Sequence, residues 1–202
     1  THFPMLRNCT VEILSTPSDQ SIIADLQQFI KGKLPKNTSC TRLIQMALAA
    51  ESTALSVRIY QKAIASYPED YRAHFKLGII HFQENKYAEA EQAFQQAALL
   101  NPKSAESYNN LGASQAMLRK YAVALQNFEK AEGLQRQSLP NKAYAASQMG
   151  RFQEALAWYG KDAAMNRAVC HLGLEQGLEA VRVLQAQETS TAASLYLRTI
   201  AG

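Results

Sequence analysis

Residues 71–102, YRAHFKLGIIHFQENKYAEAEQAFQQAALLNP, carry the pattern that decides the fold. Apolar residues recur every three or four positions on both sides of a short polar stretch, which predicts two amphipathic helices joined by a turn. The pattern recurs after a step of 34 residues. The pairs related by this step are Leu77-Gly78 with Leu111-Gly112, Tyr87 with Tyr121, Ala90 with Ala124, Phe94 with Phe128 and Ala97 with Ala131. One step earlier in the chain, Tyr60, Ala63 and Pro68 occupy the places of Phe94, Ala97 and Pro102.

This spacing and these residue types resemble the tetratricopeptide repeat, a helix-turn-helix unit with a leucine-glycine pair, spaced alanines, an aromatic residue and a closing proline. Gly78 and Gly112 stand where paired helices cross, and a larger side chain there would push the backbones apart. Phe94 and Phe128 fill the space between successive pairs, and Pro102 ends the second helix because it cannot continue the hydrogen-bond ladder. The resemblance implies an all-α, right-handed helical solenoid with flanking capping helices.

The repeat divides the chain into segments of decreasing regularity. We expect a segment with one amphipathic helix at 1–36, regular units at 37–70, 71–104 and 105–138, shortened and irregular helical repeats at 139–188, and a C-terminal capping helix at 189–202. In the fourth unit Phe152 takes the place of Tyr121 after a step of only 31 residues, and Lys142 stands where the family has leucine. We therefore expect the first helix of that unit to be shifted or shortened.

The segment before the first unit contains an amphipathic helix of its own. The residues Thr16-Pro17-Ser18-Asp19 are typical of a helix start. After them, apolar residues share one helical face: Ile22, Ile23, Leu26, Phe29 and Ile30. Two interpretations remain open, because this face either covers the open end of the solenoid or meets a partner.

Composition and charge exclude several classes of protein. The formal net charge of +4, with 19% charged residues, includes no basic run dense enough to follow a phosphate backbone, so nucleic acid is not expected as a partner. No apolar stretch is long enough to span a bilayer. The chain begins at Thr1 without an initiator methionine, which suggests that an upstream segment was removed. Cys40 and Cys170 are interpreted as small buried helix residues, and Cys9 as the more exposed thiol.

No catalytic or cofactor-binding motif is present. The chain contains no GxGxxG, GxxxxGK[ST], GxSxG or HExxH sequence. His74 and His81 share a helical face, but both occupy packing positions of the repeat, which favours a structural role over a metal site. We therefore expect neither enzymatic activity nor a cofactor or metal.

The resemblance also implies where a partner would bind. In this family the concave surface is built mainly from first helices, at unit positions two, five, nine and twelve. These positions hold Arg72, Phe75, Ile79 and Phe82 in the second unit, Glu106, Asn109, Ala113 and Ala116 in the third, and Thr38, Thr41, Gln45 and Leu48 in the first. The predicted partner-binding groove comprises Arg72, Phe75, Lys76, Ile79, Phe82, Thr41, Gln45, Asn109 and Ala113. A groove with this apolar ridge suits an amphipathic helix or an extended apolar peptide. Alternatively, the N-terminal segment or the next turn of the superhelix fills it.

Arrays of this family act mainly as non-catalytic adaptors, so the first hypothesis is a protein-binding scaffold. The short, glutamine- and alanine-rich array is similar to the tight-adherence (TadD-like) pilus assembly lipoproteins. That resemblance implies a secretin pilotin-like role in a bacterial envelope pilus or secretion machine. The implied partner is an outer-membrane secretin, the implied location is the periplasmic side of the outer membrane, and the implied anchor is a lipid-bearing cysteine before Thr1. Two alternatives remain: a cytosolic export chaperone, and a regulatory or substrate-binding domain of a larger enzyme.

Overall fold

The computed structural model describes residues 20–134, 139–160 and 163–186, and every regular element within these ranges is an α-helix. The helices are α1 (Gln20–Ile30), α2 (Cys40–Ala49), α3 (Thr53–Ser66), α4 (Tyr71–Gln83), α5 (Tyr87–Leu100), α6 (Ala105–Met117), α7 (Tyr121–Gly133), α8 (Leu139–Gln148), α9 (Phe152–Trp158), α10 (Ala164–Gly173) and α11 (177–186). They form the right-handed solenoid of tetratricopeptide type that the sequence predicts. The predicted helix start at Thr16, the exposed thiol at Cys9 and the capping helix at 189–202 lie outside the described residues.

The first helices of the three leading hairpins begin at residues with short polar side chains. Ser39 accepts a hydrogen bond from the backbone N–H of Arg42, and Asp70 accepts one from that of Arg72. Ser104 caps α6 in the same way, through the N–H of Ser107. Each cap satisfies a backbone donor that would otherwise lack an intrahelical partner. These polar side chains therefore set the start of α2, α4 and α6.

A common turn joins the two helices of the last four hairpins. One residue in each turn has positive φ: Asn85 at 60°, Arg119 at 61°, Gly150 at 75° and Glu175 at 61°. The next residue donates its backbone N–H to a carbonyl five positions earlier, at 2.8–2.9 Å in all four hairpins. This pattern is the Schellman motif, which satisfies the carbonyls at the end of the first helix. The turn puts each second helix in the same register with its first helix, including in the short fifth hairpin.

Large aromatic side chains fill the spaces between hairpins. Phe94 and Phe128 are fully buried, and each lies against a glycine of the preceding helix, Gly78 or Gly112. In the fifth hairpin Gly173 lies directly against the ring of Phe152. The contacts therefore continue without a break from α4 to α10 through closely approaching backbones and aromatic rings.

Helix α1 covers the N-terminal end of this stack. Its residues Ile22 and Leu26 are buried in the same apolar cluster as Leu43 of α2. Asp25 accepts a hydrogen bond from Arg42 Nε at 2.6 Å, which adds an ion pair across the same interface. The structure therefore agrees with a capping role for the buried face of α1.

Lys142 occupies the leucine position of the fourth hairpin and is buried there. Its Nζ lies 2.8 Å from Glu132 Oε2 and 4.4 Å from the centre of the Trp158 ring. A buried charge is tolerated only when it is paired, and here a carboxylate and an aromatic face both supply favourable contacts. Helix α8 has ten residues against thirteen in α6, in line with a shortened first helix.

Candidate functional site

The common turn identifies equivalent positions on all first helices. Counting back twelve, eight and five residues from the start of each second helix gives the three central concave positions. In α4 these positions are Phe75, Ile79 and Phe82, and in α2 they are Thr41, Gln45 and Leu48. We call the full set, taken over all five first helices, the concave register.

Arg72 is held by an ion pair within the chain. Its Nη2 lies 2.7 Å from Asp70 Oδ2, and its Nε donates to Asp70 Oδ1 at 2.9 Å, so the contact is bidentate. Nη2 also lies 3.2 Å from the Thr41 hydroxyl oxygen. The Arg72 guanidinium lowers the pKa of Asp70 to about 2, chiefly through these hydrogen bonds. The predicted groove residues Arg72 and Thr41 are therefore joined to each other through this pair.

The apolar residues of α4 in the predicted groove are packed into the solenoid to different degrees. Phe75 is half-buried and stacks edge-on against Phe94, with 5.7 Å between ring centroids. Phe82 is buried and makes a similar contact with Tyr87 at 5.3 Å. Ile79 is half-buried against the same apolar cluster. These three side chains present only part of their surface to a ligand.

The remaining predicted groove residues are spread over three helices. Lys76 of α4 and Gln45 of α2 are half-buried. Asn109 and Ala113 of α6 are buried, and Asn109 Oδ1 accepts a hydrogen bond from Asn141 Nδ2 at 3.0 Å. Asn109 Nδ2 in turn donates to Asn110 Oδ1 at 3.2 Å, so the buried amides satisfy one another. In this structure Asn109 and Ala113 serve as packing residues, and their part in binding stays a prediction.

The fifth hairpin contributes concave residues that our sequence analysis did not select. In α10 the concave register falls on Met165, Val169 and Leu172, whose side chains are 66%, 51% and 60% exposed. The opposite face of α10 is buried through Ala168 and Cys170. Counting back from Gly177, which opens α11, was the signal that identifies these positions. The irregular 25-residue spacing of this hairpin concealed it.

The strip of α10 is the largest exposed apolar part of the concave register. Its members recur at a spacing of four and then three residues, so they form one line along the helix. Leu48 and Tyr144 are half-buried in the same register, and Pro140 is exposed. The accessible surface is therefore polar on α2, where Thr41 lies, and apolar on α10.

The thiols and histidines do not form a reactive centre in the described part of the chain. Burial raises the pKa of Cys40 to about 11, and a hydrogen bond with Asp70 adds to that effect. Burial likewise raises the pKa of Cys170 and lowers that of His74. No group of three or more metal-ligating side chains comes together within residues 20–134, 139–160 and 163–186. In the same ranges, no helix has the length and hydropathy needed to cross a bilayer.

Comparisons with known proteins agree with this architecture. Residues 41–99 and 80–138 match the family model described as Tetratricopeptide repeat. The solved structure of MamA protein superposes with a TM-score of 0.68 at 18% identity, covering 78% of this chain and 94% of MamA. YrrB, described as "a TPR protein with an unusual peptide-binding site", superposes at 0.66 and 18% identity, covering 79% and 89%. Among curated proteins no sequence matches.

A third solved structure extends over nearly the whole chain. It is pilF of Pseudomonas aeruginosa, with a TM-score of 0.61 and 20% identity, and the superposition covers 91% of this chain and 96% of pilF. At such identities the likeness establishes the fold alone. The family match and these structures identify the same repeat that the 34-residue spacing predicts.

Proposed function

Because the chain belongs to the tetratricopeptide repeat family through residues 41–138, we propose that it is a non-catalytic scaffold that binds a helix or an extended apolar peptide of another protein on its concave surface. Solenoids of this kind offer an extended concave face instead of an enclosed cavity. Binding therefore depends on which side chains of that face remain accessible.

The observation that carries the proposal is the exposed strip of Met165, Val169 and Leu172 in the concave register of α10. Side chains this apolar are usually covered in a soluble protein, and contiguous exposed ones mark interaction sites. The strip covers seven residue steps of an α-helix, or about 10 Å. That length matches about two turns of an amphipathic helix lying along it, with its own apolar residues three and four positions apart.

The predicted groove residues of α2 and α4 extend this surface. Phe75 and Ile79 offer the exposed parts of their side chains, and Thr41 and Gln45 offer hydrogen-bonding groups. Arg72 serves mainly to join α4 to α2, because Asp70 and Thr41 already occupy its donors. A ligand that crosses the whole surface would therefore place its apolar residues on α10 and its polar residues on α2.

We place this activity in the assembly of a bacterial envelope pilus or secretion machine, with an outer-membrane secretin as the partner. The likeness to the tight-adherence lipoproteins and the superposition on pilF over 91% of the chain support the setting. The proposal includes a periplasmic location at the outer membrane and a lipid anchor upstream of Thr1. The precursor sequence tests it: a signal peptide ending in a lipid-modified cysteine supports the setting, and an upstream catalytic domain contradicts it.

The binding surface is tested by substituting the exposed strip without disturbing the core. We expect V169Q/L172Q to fold normally, because exposed substitutions usually change stability by less than about 0.5 kcal/mol. Recovery of the partner from an extract of the source organism, measured by quantitative mass spectrometry on the tagged chain, should fall about tenfold or more, as for residues central to an interface.

The matched control is L99Q/L178Q, which replaces two equally exposed leucines outside the concave register. This variant should recover the same proteins as the wild type. Unchanged recovery by folded V169Q/L172Q would remove the α10 strip as the binding surface. Loss of recovery in both variants would show that exposed apolar area, and not the concave register, drives the capture.

A further inference from the structure

A second exposed apolar feature lies at the opposite end of the solenoid, on α1. Ile22 and Leu26 of this helix are buried against α2, but Ile23 and Ile30 are 53% and 60% exposed. These two isoleucines are seven residues apart, so they lie along one side of the helix. The other exposed side chains of α1 are uncharged, among them Gln27 and Gln28.

Three exposed lysines follow directly after these isoleucines. Lys31, Lys33 and Lys36 lie in the connection between α1 and α2, and no ion pair to any of them occurs within the described residues. No Asp or Glu occurs anywhere from residue 26 to residue 50. The preceding acid, Asp25, is already paired with Arg42. The charge of the three lysines is therefore not compensated locally.

The shape and the charge together indicate the kind of surface that fits. Helix α1 is convex and covers the end of the stack, so Ile23 and Ile30 project outward and do not line a groove. A convex pair of apolar side chains beside clustered lysines suits a soft, flat, negatively charged surface, in which aliphatic groups enter the headgroup layer and ammonium groups meet the phosphates. A folded acidic protein would need a concavity that matches the isoleucines. A nucleic acid would leave them exposed to water.

We propose that the patch formed by Ile23, Ile30, Lys31, Lys33 and Lys36 binds the surface of a membrane containing anionic lipid. The patch holds the N-terminal end of the solenoid against the bilayer. The strip of α10, at the far end of the chain of hairpins, stays free for its own ligand. This membrane contact goes beyond the proposed scaffold function and does not depend on it.

The charges make the size of the effect predictable. A lysine near an anionic membrane surface strengthens binding about fivefold, so the three together contribute on the order of 100-fold at low ionic strength. This part should weaken as salt rises, because the surface potential is screened within a Debye length. The contribution of the isoleucines should persist in high salt, because burial of apolar surface does not depend on charge.

The test is cosedimentation of the full 202-residue chain with vesicles of phosphatidylglycerol and phosphatidylcholine in equal parts, and with vesicles of phosphatidylcholine alone. We expect the wild type to bind the anionic vesicles and K31Q/K33Q/K36Q to bind them on the order of 100-fold more weakly. The variant I23Q/I30Q should lose the salt-resistant part of the binding. Circular dichroism of each variant establishes that it is folded.

The matched control, K62Q/K103Q/R119Q, removes three exposed cationic side chains elsewhere and lowers the formal net charge of +4 by the same amount. It should bind almost as the wild type does. Equal weakening of both triple variants would overturn the proposal, because net charge alone would then explain the binding. Absence of binding by the wild type, or equal binding to both kinds of vesicle, would overturn it as well. V169Q/L172Q should bind vesicles normally, so failure of one proposal is distinguishable from failure of the other.

Discussion

Replacing Gly112 by alanine tests whether close helix packing holds the hairpins together. A β-carbon built at Gly112 lies 2.7 Å from Phe128 Cε1 and 3.0 Å from the Ala124 carbonyl oxygen. Phe128 is fully buried and cannot move away without displacing its neighbours. Such overpacking costs about 1–3 kcal/mol, against about 1 kcal/mol that alanine gains over glycine in a helix. We expect G112A to lower the free energy of unfolding by up to about 2 kcal/mol.

The matched control is the same substitution at Gly133 in α7, where no atom lies within 4 Å of the added carbon. G133A should raise stability by about 0.5–1 kcal/mol, so the difference between the two variants, about 1–3 kcal/mol, isolates the clash. Urea unfolding followed by circular dichroism measures it. Equal stability of G112A and G133A would refute the packing argument. In an F128L background the cost of G112A should shrink, because the smaller side chain leaves room for the methyl group.

Two further predictions concern charged residues. K142L should change the free energy of unfolding by less than about 1 kcal/mol, whereas E132Q, which leaves Lys142 buried without its carboxylate, should cost about 1–3 kcal/mol in urea titrations; a larger loss for K142L would contradict this. Asp70 stabilises the fold through its lowered pKa, a contribution that is complete above about pH 4 and disappears as the pH falls towards 2. D70N, which can still cap α4, should therefore be less stable than the wild type by about 1 kcal/mol at pH 7 and equal to it near pH 2 in urea unfolding, and a pH-independent difference would exclude the Arg72 ion pair as the cause.

The helix hairpins could be predicted because their determinants are local. Ser39 and Asp70 cap helices through backbone groups two or three residues away, and the apolar period of each helix is visible within a single unit. The common turn was less visible. Asn85, Arg119 and Glu175 adopt positive φ without glycine, because the turn is stabilised by a backbone hydrogen bond and not by a particular side chain. That turn made the fifth hairpin regular despite its irregular spacing.

Buried polar residues were beyond prediction because their partners come from other hairpins. Asn109 is satisfied by Asn141, and Lys142 by Glu132 and the ring of Trp158. Sequence spacing places each of these residues on a helix, but it does not say which side chains of a neighbouring helix reach it. A predicted groove residue such as Asn109 therefore became a packing residue once α8 was placed beside α6.

The amino-acid sequence by itself determined the repeat, the all-α solenoid and the positions that form the concave register, because these follow from periodicity and local hydrogen bonding. Only the tertiary structure decided which of those positions are accessible. Phe75, Ile79 and Phe82 are apolar, as are Met165, Val169 and Leu172, but the first three pack against neighbouring helices and the second three remain exposed on α10. Exposure depends on what stacks against a side chain, and in a solenoid that changes from one hairpin to the next while the pattern within each hairpin stays the same.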